Sequence, residues 1–267
     1  MHPKITRARG SLQAVVASSI RVLEALLGTQ RPSGMALESL LHEAIRTASR
    51  SSADSARHSE THDSALILDT SNGIESLTDL GFYEGTLAEI LATAKYRAWP
   101  EPLVHLGHRL GRELQATASW LSDSGGMQGR TLVVPVPSPR LRRWHRGLDH
   151  TAILARGVAQ VIGGDTRSLF ARRWSKPQMS LSRRSRREVG SSLQLRRGAP
   201  RALQRWRSVL IVDDVTTSGA TLAAMAKALR EAGAGRVHAC VVASGRSGHD
   251  SASPSAGRPS SWGVRGG

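Results

Sequence analysis

The sequence predicts an α/β fold in which a mostly parallel sheet is flanked by helices. Three short, almost wholly apolar runs carry the first part of that reading: TLVVPV over 131–136, SVLIV over 208–212 and VHACVVA over 237–243. They are rich in β-branched residues and too short for helices. Strands apolar on both faces belong in a parallel sheet covered on both sides. The segments between them, 148–162 and 220–232, space their apolar residues at helical intervals. Strand and helix in alternation place those helices over the sheet.

Taken from the start, 12–27 reads as a helix through Leu12, Val15, Val16, Val22, Leu23, Leu26 and Leu27, with Gly28 as its stop. A second short helix is predicted over 35–48, with Leu37, Leu40, Leu41 and Ile45 on one face. The stretch 47–64 is Ser, Ala, His and Arg with little to bury, and reads as linker or disorder. Helical periods return over 84–97 and 102–121, and Gly233 ends the helix over 220–232. The Ser-, Gly- and Pro-rich tail 245–267 reads as disordered. The predicted organisation is therefore a helical then low-complexity extension over 1–75, a folded domain over 76–244 and a disordered tail. No internal repeat interrupts it.

The chain has 267 residues, 39% of them apolar, 22% charged and 4% aromatic, an ordinary composition for a folded protein. No run reaches the roughly 18 uncharged apolar residues of a membrane helix. The best candidate, 12–27, is broken by Arg21 and Glu24, and no small-residue cleavage site follows it. Neither a membrane span nor a secretory signal is predicted. Cys240 is the only cysteine, which excludes a disulfide framework and a cysteine-rich zinc module. A reducing, cytoplasmic setting is expected. Its mid-strand position makes Cys240 a core residue.

Charge is unevenly placed. The net charge is +16, and 140–207 alone holds 18 Lys and Arg against three acids, Asp149, Asp165 and Glu188. Such a block implies either an anionic partner or a solvated basic face.

The sharpest motif is VLIVDDVTTSGATL over 209–222. An apolar strand ends in Asp213 and Asp214, at the carboxyl edge where open α/β sheets bind ligands. Val215, Thr216, Thr217, Ser218, Gly219, Ala220 and Thr221 then lead into a helix. Free backbone N–H groups, a helix dipole and several hydroxyls there suit a phosphate dianion. Gly219 permits close backbone approach. Carboxylates for sugar hydroxyls beside a phosphate cradle make a ribose 5-phosphate reader. Simple N-capping accounts for one hydroxyl but not for two adjacent acids and a run of small residues. No Gly-Lys-Ser/Thr follows, so this is not a Walker A loop.

These residues resemble the phosphoribosyl-pyrophosphate (PRPP) loop of type I phosphoribosyltransferases. Further matches resemble the ComF-like branch, the competence-associated, amidophosphoribosyltransferase-like proteins. They are Tyr83-Glu-Gly-Thr-Leu-Ala-Glu-Ile with Lys95-Tyr96, Val133-Val-Pro-Val-Pro137 with Arg142-Arg143 and Arg146-Gly147, and Lys176-Pro177-Gln178 with the arginines at 183, 184, 186 and 187. The resemblance spans about 80–244 and implies a type I phosphoribosyltransferase-like (Rossmann-like) fold. It further implies that Asp213 and Asp214 hold the ribose hydroxyls and the turn over 215–221 the 5-phosphate. Pro135, Val136, Pro137, Arg142 and Arg143 would face pyrophosphate, and Lys176 and Arg146 would act in catalysis. Mg²⁺ would ride on PRPP oxygens with no direct protein ligand.

The departures are informative. The family's four-cysteine zinc module is missing, and His58 and His62 with Asp54 and Asp63 lie in a Ser-rich stretch to which no metal is assigned. Arg146-Gly-Leu-Asp-His150 stands where the family tends to read Arg-Gly-Phe-Asn-Gln, and Val189 stands for an expected Asn. His105, His108, His145 and His150 are read as structural, with His145 and His150 near the crevice. Two functions stay open. One is a PRPP-dependent, Mg²⁺-requiring transferase of unknown acceptor. The other is a non-catalytic protein of DNA uptake or single-strand handling, using 140–207 with Trp144, Trp174 and Trp206 as stacking platforms. A homodimer is compatible with either.

Overall fold

The computed structural model describes residues 34–56, 73–122, 131–138, 148–172 and 193–245. In chain order the elements are α1 (Gly34–Ala56), β1 (Leu77–Thr78), α2 (Gly85–Tyr96), α3 (Pro100–Thr117), α4 (Ser119–Ser122), β2 (Thr131–Pro135), α5 (His150–Ile162), β3 (Asp165–Thr166), β4 (Phe170–Arg172), β5 (Leu193–Leu195), α6 (Ala199–Leu203), β6 (Ser208–Thr216), α7 (Ala220–Glu231) and β7 (Arg236–Ser244). Five strands form one sheet in the order β1-β7-β6-β2-β3, and every pairing in it is parallel. β4 and β5 make a separate antiparallel pair. The mostly parallel, helix-flanked α/β architecture predicted from the apolar runs is the one observed.

Alternation along the central strands builds two cores. Val133, Leu210, Val212, Cys240 and Val242 face one side, where α1, α2, α3 and α5 pack. Leu132, Val134, Val209, Ile211, Val237, Ala239 and Val241 face the other, against α6 and α7. Side chains two apart share a face, so strands that are apolar at every position need both covers. Cys240 is fully buried and its thiol is pushed up by burial alone, as a core residue requires. Trp206, read as a stacking platform, instead packs in the second core at 9% exposure. Trp144 and Trp174 lie outside the described residues.

Three differences from the sequence reading have physical causes. The first described helix runs through Ala56, into the stretch 47–64 read as linker, because Ala48 is buried in the first core and the Ser49 hydroxyl donates to the Leu80 carbonyl at 2.9 Å. One anchored turn was invisible in so polar a composition. β6 continues four residues beyond 212, pairing Thr216 with Ser244, so Asp213 and Asp214 lie inside the strand rather than past its end. The helix expected over 102–121 starts at Pro100 and breaks at Ala118 into α3 and α4.

α3 and α5 lie against each other through glycine. A Cβ on Gly107 would stand 2.6 Å from the Leu154 carbonyl oxygen and 3.1 Å from the Gly157 Cα. The backbones therefore touch, and the Gln115 amide donates to the Val161 carbonyl at 2.8 Å further along. That contact fixes where α5 begins.

Candidate functional site

β2 connects through α5 to β3 on one side of the sheet, and β6 through α7 to β7 on the other. The two central strands, β2 and β6, are neighbours, so the chain departs in opposite directions from their carboxyl ends. Such a switch point opens a crevice, the usual ligand position in open parallel sheets. Pro135 pairs with Val212, and the Val136 amide donates to the Val212 carbonyl at 2.9 Å. Pro135, Val136 and Pro137 thus stand directly beside Asp213 and Asp214.

Thr216, the last residue of β6, is buried, while Thr217 and Ser218 beyond it are exposed. Gly219 takes φ of 67° at the N-cap of α7, and no side chain caps that helix. A residue with a Cβ is strained in this left-handed conformation. Thr216 is tied down by Gly245, whose amide donates to its carbonyl at 2.7 Å. The turn over 215–221 thereby presents the amino end of a helix to the crevice, where its dipole and first-turn amides favour an anion.

Asp214 follows Leu210 and Val212 onto the face of α2 and α5. Its Oδ2 lies 2.9 Å from Lys95 Nζ and 2.7 Å from His150 Nε2. The three side chains are 10–15% exposed. Burial alone would raise the Asp214 pKa, but the His150 hydrogen bond and the Lys95 charge overcome it and hold the carboxyl below its ordinary range. Asp213 Oδ1 accepts from the Asp214 amide at 2.8 Å. At the neighbouring strand end, Asp79 accepts from the Ser244 hydroxyl at 2.7 Å, and burial pushes its carboxyl up.

The start of α5 is locked. Asp149 caps it by accepting from the Ala152 amide, and the buried Thr151 hydroxyl donates to the Val136 carbonyl at 2.7 Å. His150 is thus held over the crevice by the residues on either side of it. The structure brings together Asp213, Asp214, the turn over 215–221 and Pro135–Pro137. Arg142, Arg143, Arg146 and Lys176 lie outside the described residues. Two residues absent from the predicted set join it, Lys95 and His150. Lys95 was visible only as part of a Lys-aromatic pair, and His150 as a departure from an expected Gln. His105, 3.4 Å from Glu38, and His108, bonded to Gln160 at 2.9 Å, stay on helix surfaces away from the crevice. A cleft of about 400 Å³ between α1 and α3, lined by Leu41, His42, Ile45, His105, Arg109 and others, shares no residue with it.

The strand, Asp-Asp pair, small-residue turn and helix form one continuous unit in the sequence 208–231. Residues 152–256 match the family model of the phosphoribosyl transferase domain. The match supports a relationship to type I phosphoribosyltransferases for this part of the chain. The matched stretch takes in Asp213, Asp214 and the whole turn over 215–221, and starts two residues after His150. Lys95 and Pro135–Pro137 lie outside the matched stretch, and only the fold brings them to it. No curated protein matches the chain. Among the described residues no helix is long and apolar enough to cross a membrane.

Proposed function

We propose that the chain binds PRPP and transfers its ribose 5-phosphate group to an acceptor, as a ComF-like phosphoribosyltransferase. The observation that supports this best is the meeting, at one switch point, of Asp213 and Asp214 in the last residues of β6, the open amino end of α7 and the Pro135–Pro137 loop. In this reading the acids hold the ribose hydroxyls, the turn over 215–221 holds the 5-phosphate, and Pro135, Val136 and Pro137 border the pyrophosphate. Arg142, Arg143, Arg146 and Lys176 supply cations toward the pyrophosphate. The acceptor's nucleophilic atom bonds to the anomeric carbon while the carbon–oxygen bond to pyrophosphate breaks. The electron pair leaves with pyrophosphate, and the acceptor gives its proton to water. Positive charge develops on the sugar and negative charge on the leaving group, so fixed carboxylates and cations stabilise the transition state.

Mg²⁺ fits this site as a passenger of the ligand. Asp214 Oδ2 is already taken by two donors, and oxygens of the diphosphate would supply the ligands this ion prefers. When bound, the ion would neutralise charge on the diphosphate. Calorimetric titration of PRPP with Mg²⁺ tests the reading. Saturable binding is expected, weakened at least about 100-fold, or roughly 2.7 kcal/mol, in an Asp213→Asn/Asp214→Asn variant. Absence of wild-type binding would sink it. The alternative, a non-catalytic role in single-strand handling, draws on the basic stretch 140–207. Burial of Trp206 removes one of its three aromatic platforms. It calls for single-stranded DNA binding that weakens steeply with salt.

A further inference from the structure

We propose that Lys95 and His150 are positioning residues that saturate one oxygen of Asp214 and reserve the other, Oδ1, for a sugar hydroxyl. The inference rests on the ribose-phosphate reading above and deepens it, assigning to this pair the selection of a hydroxyl-bearing sugar over its deoxy analogue.

Geometry carries the argument. A carboxylate oxygen has two lone pairs, and Oδ2 meets an ammonium at 2.9 Å and an imidazole nitrogen at 2.7 Å. Because the partner of Nε2 is an acceptor, Nε2 carries the proton, and the hydrogen bond is charge-assisted. Both donors converge on the same oxygen. A buried carboxylate is costly unless paired, and this pairing keeps it ionised and in one rotamer.

The donors also come from rigid, separate elements. Lys95 sits in the last turn of α2, whose Leu87, Ile90, Leu91 and Ala94 are buried. His150 is the first residue of α5, locked by Asp149 and by the Thr151 bond to Val136. Three stretches distant in sequence therefore meet at one atom. A carboxylate so fixed recognises a hydroxyl by position, and a ligand lacking that hydroxyl leaves Oδ1 without a partner. A loosely held Asp214 would instead turn toward water and lose the distinction.

The test compares ribose 5-phosphate with 2-deoxyribose 5-phosphate by calorimetry, beside PRPP with Mg²⁺ as control. The wild type should prefer the ribose form by roughly tenfold or more. Lys95→Met and His150→Leu should bring that ratio to within about twofold while still binding both phosphates. His150→Gln, which restores an N–H donor, should recover the preference. A merely structural role would weaken both sugars alike and leave the ratio unchanged, and that result in a folded variant overturns the inference alone. If the wild type binds neither PRPP nor ribose 5-phosphate, the functional reading falls, and this inference with it.

Discussion

Each end of the parallel sheet holds a histidine, part-buried at one and buried at the other, and the two are used in opposite ways. At the carboxyl end His150 lies 2.7 Å from Asp214, with Lys95 on the same oxygen, and the cluster keeps charge inside the protein. At the amino end His238, on β7, stacks on Trp120 with ring centres 3.9 Å apart and planes 5° apart. Its Nδ1 shares a hydrogen bond with the Ser76 hydroxyl at 2.8 Å, while its buried Nε2 finds no hydrogen-bond partner among the described residues. The nearest carboxylate oxygen, on Glu75, is 3.9 Å away. Burial dominates there and pushes the imidazole down to about 4, with Arg236 and Arg230 adding to it against Glu75. Burial by itself thus decides nothing. Whether a full counter-charge lies within hydrogen-bond reach separates a site that holds charge from a core that excludes it.

The sharpest way to break this contrast is to disturb both ends through the element they share. α5 begins at His150, and α3 runs into α4, which carries Trp120. Gly107→Ala places a methyl 2.6 Å from the Leu154 carbonyl oxygen, so α3 and α5 must move apart. We expect a loss of about 3 kcal/mol, the upper part of the overpacking range, in urea denaturation. Tryptophan fluorescence and PRPP affinity should change together. A variant that keeps wild-type stability would show that the helices slide without cost and that the two ends are uncoupled.

The next prediction separates the ends by pH. The unfolded His238 has an ordinary value near 6.5 and the folded one about 4, so within that window only the unfolded chain takes up the proton. Stability is fully present above about pH 6.5 and falls as pH drops toward 4, by about 2–3 kcal/mol from this residue. Asp214 behaves differently. Its folded value is depressed, so its contribution is present above the ordinary carboxylate value and is lost only as pH falls below it. Acid therefore loosens the amino end first. Denaturation midpoints at pH 7, 5.5 and 4.5 should fall less steeply in His238→Phe, which retains the ring stack but cannot titrate. An unchanged slope would count against the charge-excluding reading of this end.

The carboxyl end was far more legible in the sequence than the amino end. VLIVDDVTTSGATL writes strand, acids, turn and helix contiguously, so local chemistry pointed to the crevice at the switch point, and the apolar runs revealed the sheet. Lys95 and His150 escaped because their partner lies more than sixty residues away, and nothing local to either marks it. His150 was read as structural because a lone histidine at a helix start has many ordinary uses. The short strands β1, β3, β4 and β5 escaped for a related reason. Two or three residues such as Asp165–Thr166 carry no periodicity, and only pairing with β2 makes them strands. The Trp120–His238 stack is likewise a tertiary event, joining α4 to β7.

The smallest expected effect asks whether the charge-holding end depends on one hydroxyl. Thr151 donates to the Val136 carbonyl at 2.7 Å, and its second acceptor, Asp149 Oδ1, is farther at 3.1 Å. A hydroxyl has one proton, so the shorter contact takes it. This bond ties the first turn of α5 to the loop that follows β2, and so sets His150 against Asp214. Thr151→Val keeps the shape and removes the donor, leaving the Val136 carbonyl to find another partner. The global cost should be about 1 kcal/mol. His150 should lose its register as well, lowering the ribose-to-deoxyribose preference part of the way toward that of His150→Leu. At the amino end nothing should change, and the pH dependence between 6.5 and 4 should match the wild type. If instead that slope shifts while sugar preference holds, the hydroxyl supports the sheet as a whole and the two ends are one cooperative structure.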